Sequence, residues 1–147
     1  MKVWISSLGV VVALLSVPGM AQDRFAGDLC GNKADVVLKA PGPDANPELK
    51  KFFGVWGKGK WINDICTALA VTEINGNTAT VQYFYGAGRP PDSTVPNSFV
   101  KTDAVMKGKY LFFKSMKGYD VTYEVVDGQL MGWFGNTKLA DRLQKLR

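Results

Sequence analysis

From Phe53 to the C-terminus the chain reads as one short strand after another, joined by tight turns, with no stretch that favours a long helix. Asn75-Gly76-Asn77 and Asp127-Gly128 are the clearest punctuation. Two-residue hairpin turns need positive φ at their centre, which Asn, Asp and Gly adopt at least cost. Between such turns the side chains alternate. Ala79, Val81, Tyr83 and Tyr85 oppose Thr78, Thr80, Gln82 and Phe84, while Tyr119, Val121, Tyr123 and Val125 oppose Asp120, Thr122 and Glu124. A period of two puts one set on an inner wall and the other on an outer wall. The spacing predicts seven strands, over 53–62, 65–74, 78–85, 99–106, 110–116, 119–126 and 130–134, the first bent by Gly54, Gly57 and Gly59.

The last segment, 138–146, is ambiguous. Leu139, Leu143 and Leu146 fit a helical stripe, so an amphipathic helix competes with an eighth strand. The strand is favoured, because the seven before it form an unbroken meander whose edges need covering. The expected fold is therefore mostly β, an antiparallel up-and-down eight-stranded barrel. A short helix should precede it, since Asn46-Pro47-Glu48 offers a cap, a Pro at the first position and an acid in the first turn. Pro41-Gly42-Pro43-Asp44 marks a linker. The segment before it reads as an extended arm, with Val36-Val37-Leu38 as an isolated strand.

The first 21 residues have a different grammar. Lys2 is followed by an apolar run from Val3 to Val17, then Pro18-Gly19 and the small residues Gly19 and Ala21 around Met20. That is the order of a cleavable signal peptide, too short and too abruptly ended for a membrane anchor. The expected organisation is a signal peptide over 1–21, an N-terminal arm and linker over 22–45 and the barrel domain over 46–147. A periplasmic or secreted protein without a transmembrane anchor follows. In that compartment the two cysteines, Cys30 and Cys66, read as a disulfide joining the arm to the barrel. The charge is mild, with 18 Lys and Arg against 13 Asp and Glu. The basic residues are scattered in pairs, which is a solvated surface and no nucleic-acid footprint.

Gly54-Val55-Trp56, on the first barrel strand after a short helix, resembles the G-x-W signature of the calycin barrels, the lipocalin, fatty-acid-binding and avidin-like families. The resemblance extends over Asn46 to Leu146 in strand count and order. It implies structural roles for Gly54 and Trp56, with the indole lying across the closed end of the barrel beneath a basic residue of the last strand. Arg142, Lys145 and Arg147 are the candidates, and Arg142 stands as the working assignment. The chain departs from true lipocalins in its shortness and in its tight first hairpin, which makes a small avidin-like or bacterial lipocalin-like barrel the better fit.

In a meander that starts at the closed end, the loop over 86–97 lies at the open mouth. A long loop in an economical barrel points to function. Arg89 is its basic residue and Asp92 its acid. Most aromatic rings must serve as core, because small eight-stranded barrels are filled by side chains. Inward tyrosines nevertheless carry hydroxyls that want partners, as the lining of a small-ligand site would. Tyr83, Tyr85, Arg89, Tyr119 and Tyr123 are therefore the candidate ligand-binding residues. The ligand class expected is small and hydrophobic or aromatic.

Catalysis is not expected. The sequence contains no histidine, which removes the ordinary general base of hydrolases and the commonest metal ligand. Paired cysteines supply no thiol nucleophile. Asp64, Glu73, Asp103, Asp120 and Glu124 fall into no spacing that selects an acid–base pair, and no glycine-rich phosphate loop is present. Neither cofactor nor metal is expected. The competing reading is an envelope protein partner. Small disulfide-pinned barrels with a projecting arm resemble the bacterial metalloprotease inhibitors, so a hydrolase inhibitor or envelope assembly factor would use residues 22–46 for docking.

Overall fold

The computed structural model describes residues 22–90, 92–135 and 140–147. The expected signal peptide and the Leu139 end of the apolar stripe lie outside the described residues. The chain forms a hairpin of β1 (Asp23–Leu29) and β2 (Asn32–Leu38), then one helical turn, α1 (Pro47–Lys50). Eight strands follow: β3 (Gly54–Lys60), β4 (Cys66–Asn75), β5 (Thr78–Gly86), β6 (Ser98–Lys107), β7 (Tyr110–Lys114), β8 (Asp120–Val126), β9 (Gln129–Phe134) and β10 (Ala140–Lys145). They close into an antiparallel barrel in sequence order, with β10 paired to both β9 and β3. The last segment is thus a strand. A helix there would have left the edges of β3 and β9 unpaired.

The turns obey their sequence. Asp127 and Gly128 both have positive φ, 50° and 75°, and join Val126 to Gln129 in a two-residue hairpin. Alternation sorts the walls as expected. Leu69, Val71, Val81, Tyr83, Leu111, Phe113, Val121, Tyr123, Leu130 and Leu143 share the barrel interior with Trp56. On β3 the register gains one residue between Trp56 and Gly59, with Lys58 at φ 61°. That bulge returns Gly59 to the inner face opposite Thr67.

The N-terminal segment is no extended arm with an isolated strand. Residues 23–38 pair along their whole length, from Asp23 with Leu38 to Leu29 with Asn32, around a Cys30-Gly31 turn. The hairpin's inner face, Leu29, Ala34, Val36 and Leu38, packs on the outside of the barrel against Val55, Ala68, Ala70 and Phe84. Phe84, which alternation assigns to the outer wall, is buried there. The sequence of β1, DRFAGDL, has no apolar alternation, because only Leu29 at its end is buried. Cys30 and Cys66 are bonded, with their Cα atoms 5.5 Å apart, so the hairpin turn is tied to the start of β4. At the other end of the chain Arg147 pairs with Asp23 through its Nε at 2.9 Å.

The closed end is sealed by α1. Asn46 caps it by accepting from the Glu48 N–H at 2.8 Å, and Leu49 and Phe52 drop onto Trp56. The Trp56 indole N–H donates to the Phe52 carbonyl at 2.7 Å. Gly54 has φ 120°, and a Cβ there would collide with the carbonyl oxygen of Arg147, so this position admits only glycine. The basic residue over Trp56 is Lys145, its Nζ 5.0 Å from the ring centroid and 2.9 Å from the Phe53 carbonyl. Arg142 is therefore corrected. Asp141 and Leu143 point inward on β10, so Arg142 faces out, where it reaches Gln129 Oε1 at 3.5 Å. Among the described residues no helix is long and apolar enough to cross a membrane.

Candidate functional site

The turns opposite α1 form an open mouth, and the barrel is hollow beneath it. A cavity of about 340 Å³ lies between three loops and the upper ends of β5 and β9. The turn after β3 contributes Trp61, Ile62 and Ile65, β5 contributes Tyr83 and Tyr85, and the long loop contributes Asp92 and Val95. Ser115, Met116, Lys117 and Tyr119 come from the turn after β7, and Phe134 from the end of β9. The rings meet in a continuous wall. Trp61 and Phe134 have centroids 5.7 Å apart, Tyr119 and Phe134 5.2 Å, and Tyr83 and Tyr85 6.1 Å. Ile62, Met116 and Tyr119 are each more than half exposed at the rim.

The long loop is held in place by backbone and side-chain bonds to the first turn. The Arg89 N–H donates to the Asn63 carbonyl at 2.6 Å, and the Asn63 amide donates to Asp92 Oδ2 at 2.8 Å. A 3-10 turn at Asp92–Thr94 directs Val95 to the cavity. Arg89 itself lies outside the cavity wall, its Nε 3.3 Å from Asp64 Oδ2.

Below the aromatic wall sits a polar cluster that the sequence reading did not single out. Asp141 is fully buried. Its carboxylate accepts from the Lys60 N–H at 2.5 Å, from the Thr67 hydroxyl, and from the Tyr123 hydroxyl at 3.4 Å. A Cβ on Gly59 would stand 2.8 Å from both Asp141 oxygens, so the carboxylate occupies the space that glycine leaves. The Tyr123 ring likewise lies across Gly132. Tyr83 lines the cavity above this cluster, and its oxygen accepts from the Trp61 indole N–H at 2.6 Å. Burial pushes the Asp141 carboxyl above its ordinary range and opposes ionisation of Tyr83 and Tyr123, each of which the Asp141 charge also raises.

Of the five candidate ligand-binding residues, Tyr83, Tyr85 and Tyr119 line the cavity together. Tyr123 lies one layer deeper, in contact with Trp61 across 6.4 Å between centroids. Arg89 is on the outside. The missed residues divide into two kinds. Trp61, Ile62, Ile65 and Met116 sit in or beside turns, where alternation says nothing about direction. Asp141 was hidden because the parity of the last strand was unsettled; once Leu143 is known to point inward, an acid two residues earlier must do so as well.

Two further hollows lie on the outer surface. The larger, about 780 Å³, runs between the hairpin and the outer faces of β4 to β6, with Asp35, Lys39, Glu73 and Lys101 on its walls. Three of its charges are paired, Lys39 with Glu73 at 2.6 Å across the hollow and Asp35 with Arg24. The mouth is the concave site with apolar walls. Among the described residues no three of Cys, Asp and Glu come together in a way that could hold a metal ion.

The fold and this site define a closed, eight-stranded up-and-down barrel, hollow at one end, with an N-terminal hairpin bonded to its wall. No protein-family model, curated protein or solved structure matches the chain.

Proposed function

We propose that this protein is an exported, calycin-like barrel that binds a small, partly apolar aromatic ligand in its mouth, and that it acts by binding rather than by catalysis. The observation that carries this reading is the cavity of about 340 Å³ walled by Trp61, Tyr83, Tyr85, Tyr119 and Phe134. Its size is at the lower end of small-molecule sites, and apolar walls with a few placed polar groups are their usual form. The Cys30–Cys66 bond supports export to an oxidising compartment. Trp56 beneath Lys145, at the start of the first barrel strand, supports the calycin likeness.

The alternative, docking of an envelope protein through residues 22–46, has less to draw on. The apolar face of that hairpin is already used against Val55, Ala68, Ala70 and Phe84. Trp61 provides the test. Titration of the purified protein with small aromatic compounds, naphthoquinones among them, should quench indole fluorescence saturably at one equivalent. Ile65→Trp, which fills the cavity, should abolish that saturation while the variant still folds. Equal quenching in both proteins would refute binding in the mouth.

A further inference from the structure

Resting on that reading, we infer that the mouth takes an amphoteric aromatic ligand, its cationic group set against Asp92 and its anionic group against Lys117. The distribution of charge around the mouth carries this inference. Arg89 is answered by Asp64 at 3.3 Å and Lys114 by Asp120, and all four stand outside the cavity wall. Asp92 and Lys117 are the two charged residues of the lining, and they come from different loops. Among the described residues neither forms an ion pair, with the other or with any third group. The charges left unanswered at this end of the barrel are therefore the two that border the cavity.

Asp92 has one structural duty. Its Oδ2 accepts from the Asn63 amide at 2.8 Å, which holds the long loop to the turn after β3. Its Oδ1 has no donor among the described residues. Lys117 stands exposed beside Gly118 in the turn after β7, and its ammonium serves no contact within the fold. An uncharged ligand seated in the mouth would strip water from both groups and return nothing, which is a cost. A ligand of one sign would be drawn to one group and repelled by the other. A ligand bearing both signs restores to each group a charged partner in place of the water it loses. The ring faces of Tyr85 and Tyr119 favour its cationic group further. Trp61 and Phe134, with centroids 5.7 Å apart, offer the wall for its aromatic body.

Tryptophan, tryptamine, indole-3-propionate and indole share one ring system and carry, in turn, both charges, the cation, the anion and neither. Their affinities for the unaltered protein, measured by NMR titration at neutral pH and low salt, should place tryptophan about threefold to fivefold above each singly charged compound. Lys117→Met should bring tryptophan down to the level of tryptamine. Asp92→Asn, which keeps an oxygen for the Asn63 amide, should bring it down to that of indole-3-propionate. Raising the salt concentration should narrow the advantage in the unaltered protein. Equal affinities for all four compounds, a singly charged compound bound most tightly, or an advantage that survives either substitution would overturn the inference while leaving the binding site intact. Failure of all four to bind the unaltered protein would overturn the binding site and this selection with it.

Discussion

The two ends of the barrel are built on opposite plans. At the closed end Leu49, Phe52 and Trp56 fill the space, and the indole N–H is satisfied locally by the Phe52 carbonyl. At the open end a carboxylate, two phenols and a threonine are buried beneath a cavity. Both ends use large aromatic residues, so composition alone does not distinguish them. The difference is whether a ring meets apolar neighbours on all sides or leaves a gap with a hydroxyl at its edge. Close packing stabilises, whereas buried polar groups contribute little net stability and cost much when a partner is lost. The closed end should therefore dominate folding and the open end should dominate recognition.

The sharpest way to break this comparison is Trp56→Ala. Truncating a buried tryptophan should cost about 3–5 kcal/mol, read as a lower denaturation midpoint, with ligand quenching retained at temperatures where the variant stays folded. An equal loss of binding and stability would mean that the ends are not separable. Next in size is the disulfide, which spans 36 residues of sequence. Replacing both cysteines with alanine should cost about 4 kcal/mol in the chain-entropy model. It should also loosen the hairpin over Val55, Ala68, Ala70 and Phe84, which proteolysis within residues 22–45 would report.

The barrel was legible in the sequence because a period of two and a few hairpin turns constrain every strand at once. Asp127-Gly128 fixes the register of β8 on β9, and that register places Val121 and Tyr123 inside. The hairpin over 23–38 was not legible, because pairing there is secured from outside, by the Cys30 bond and by the barrel wall. The mouth was legible in part. Tyr83 and Tyr85 follow from alternation on β5, but Trp61 and Met116 owe their direction to turn geometry. Arg89 looked like a ligand group because it is the basic residue of a long loop. Its charge is answered by Asp64 across the neighbouring turn, a pairing between two loops that no local pattern encodes.

The polar floor gives the open end a pH dependence that the closed end lacks. Burial raises the Asp141 carboxyl above its ordinary value in the native state, while in the unfolded chain it titrates near 3.9, roughly the free aspartate value. Above both values the group is ionised in both states, and the native protein bears the cost of a buried charge. Below both it is neutral in both, and the cost is gone. Between them the native state binds the additional proton, so this group's contribution to stability falls as pH rises through that window. Asp23, Asp35 and Glu73, held below the ordinary range by Arg147, Arg24 and Lys39, act in the opposite direction from the exposed surface. Asp141→Asn separates the two effects, because it removes only the buried acid. The unaltered protein should gain stability relative to this variant on acidification, read from denaturant midpoints across pH. A difference that stays flat would show that the carboxyl is not penalised by burial.

The smallest effect tests the closed end at its edge. Lys145 holds its ammonium 5.0 Å from the Trp56 centroid and donates to the Phe53 carbonyl, while Arg142, on the outer face of the same strand, reaches Gln129. Lys145→Met keeps the length of the stem and removes the charge, so it should cost about 0.5–1 kcal/mol, the range for a partly exposed cation over a ring. Arg142→Met removes the same charge from the outer face of the same strand and should fall within about 0.5 kcal/mol of zero. Raising the salt concentration should leave the difference between the two variants largely in place. The contact that distinguishes them is short and shielded on one side by the ring, whereas screening acts on separated, solvated charges. Equal costs for the two variants would mean that packing and the bond to the Phe52 carbonyl suffice to hold Trp56, and that the basic residue above it has no part in closing the barrel.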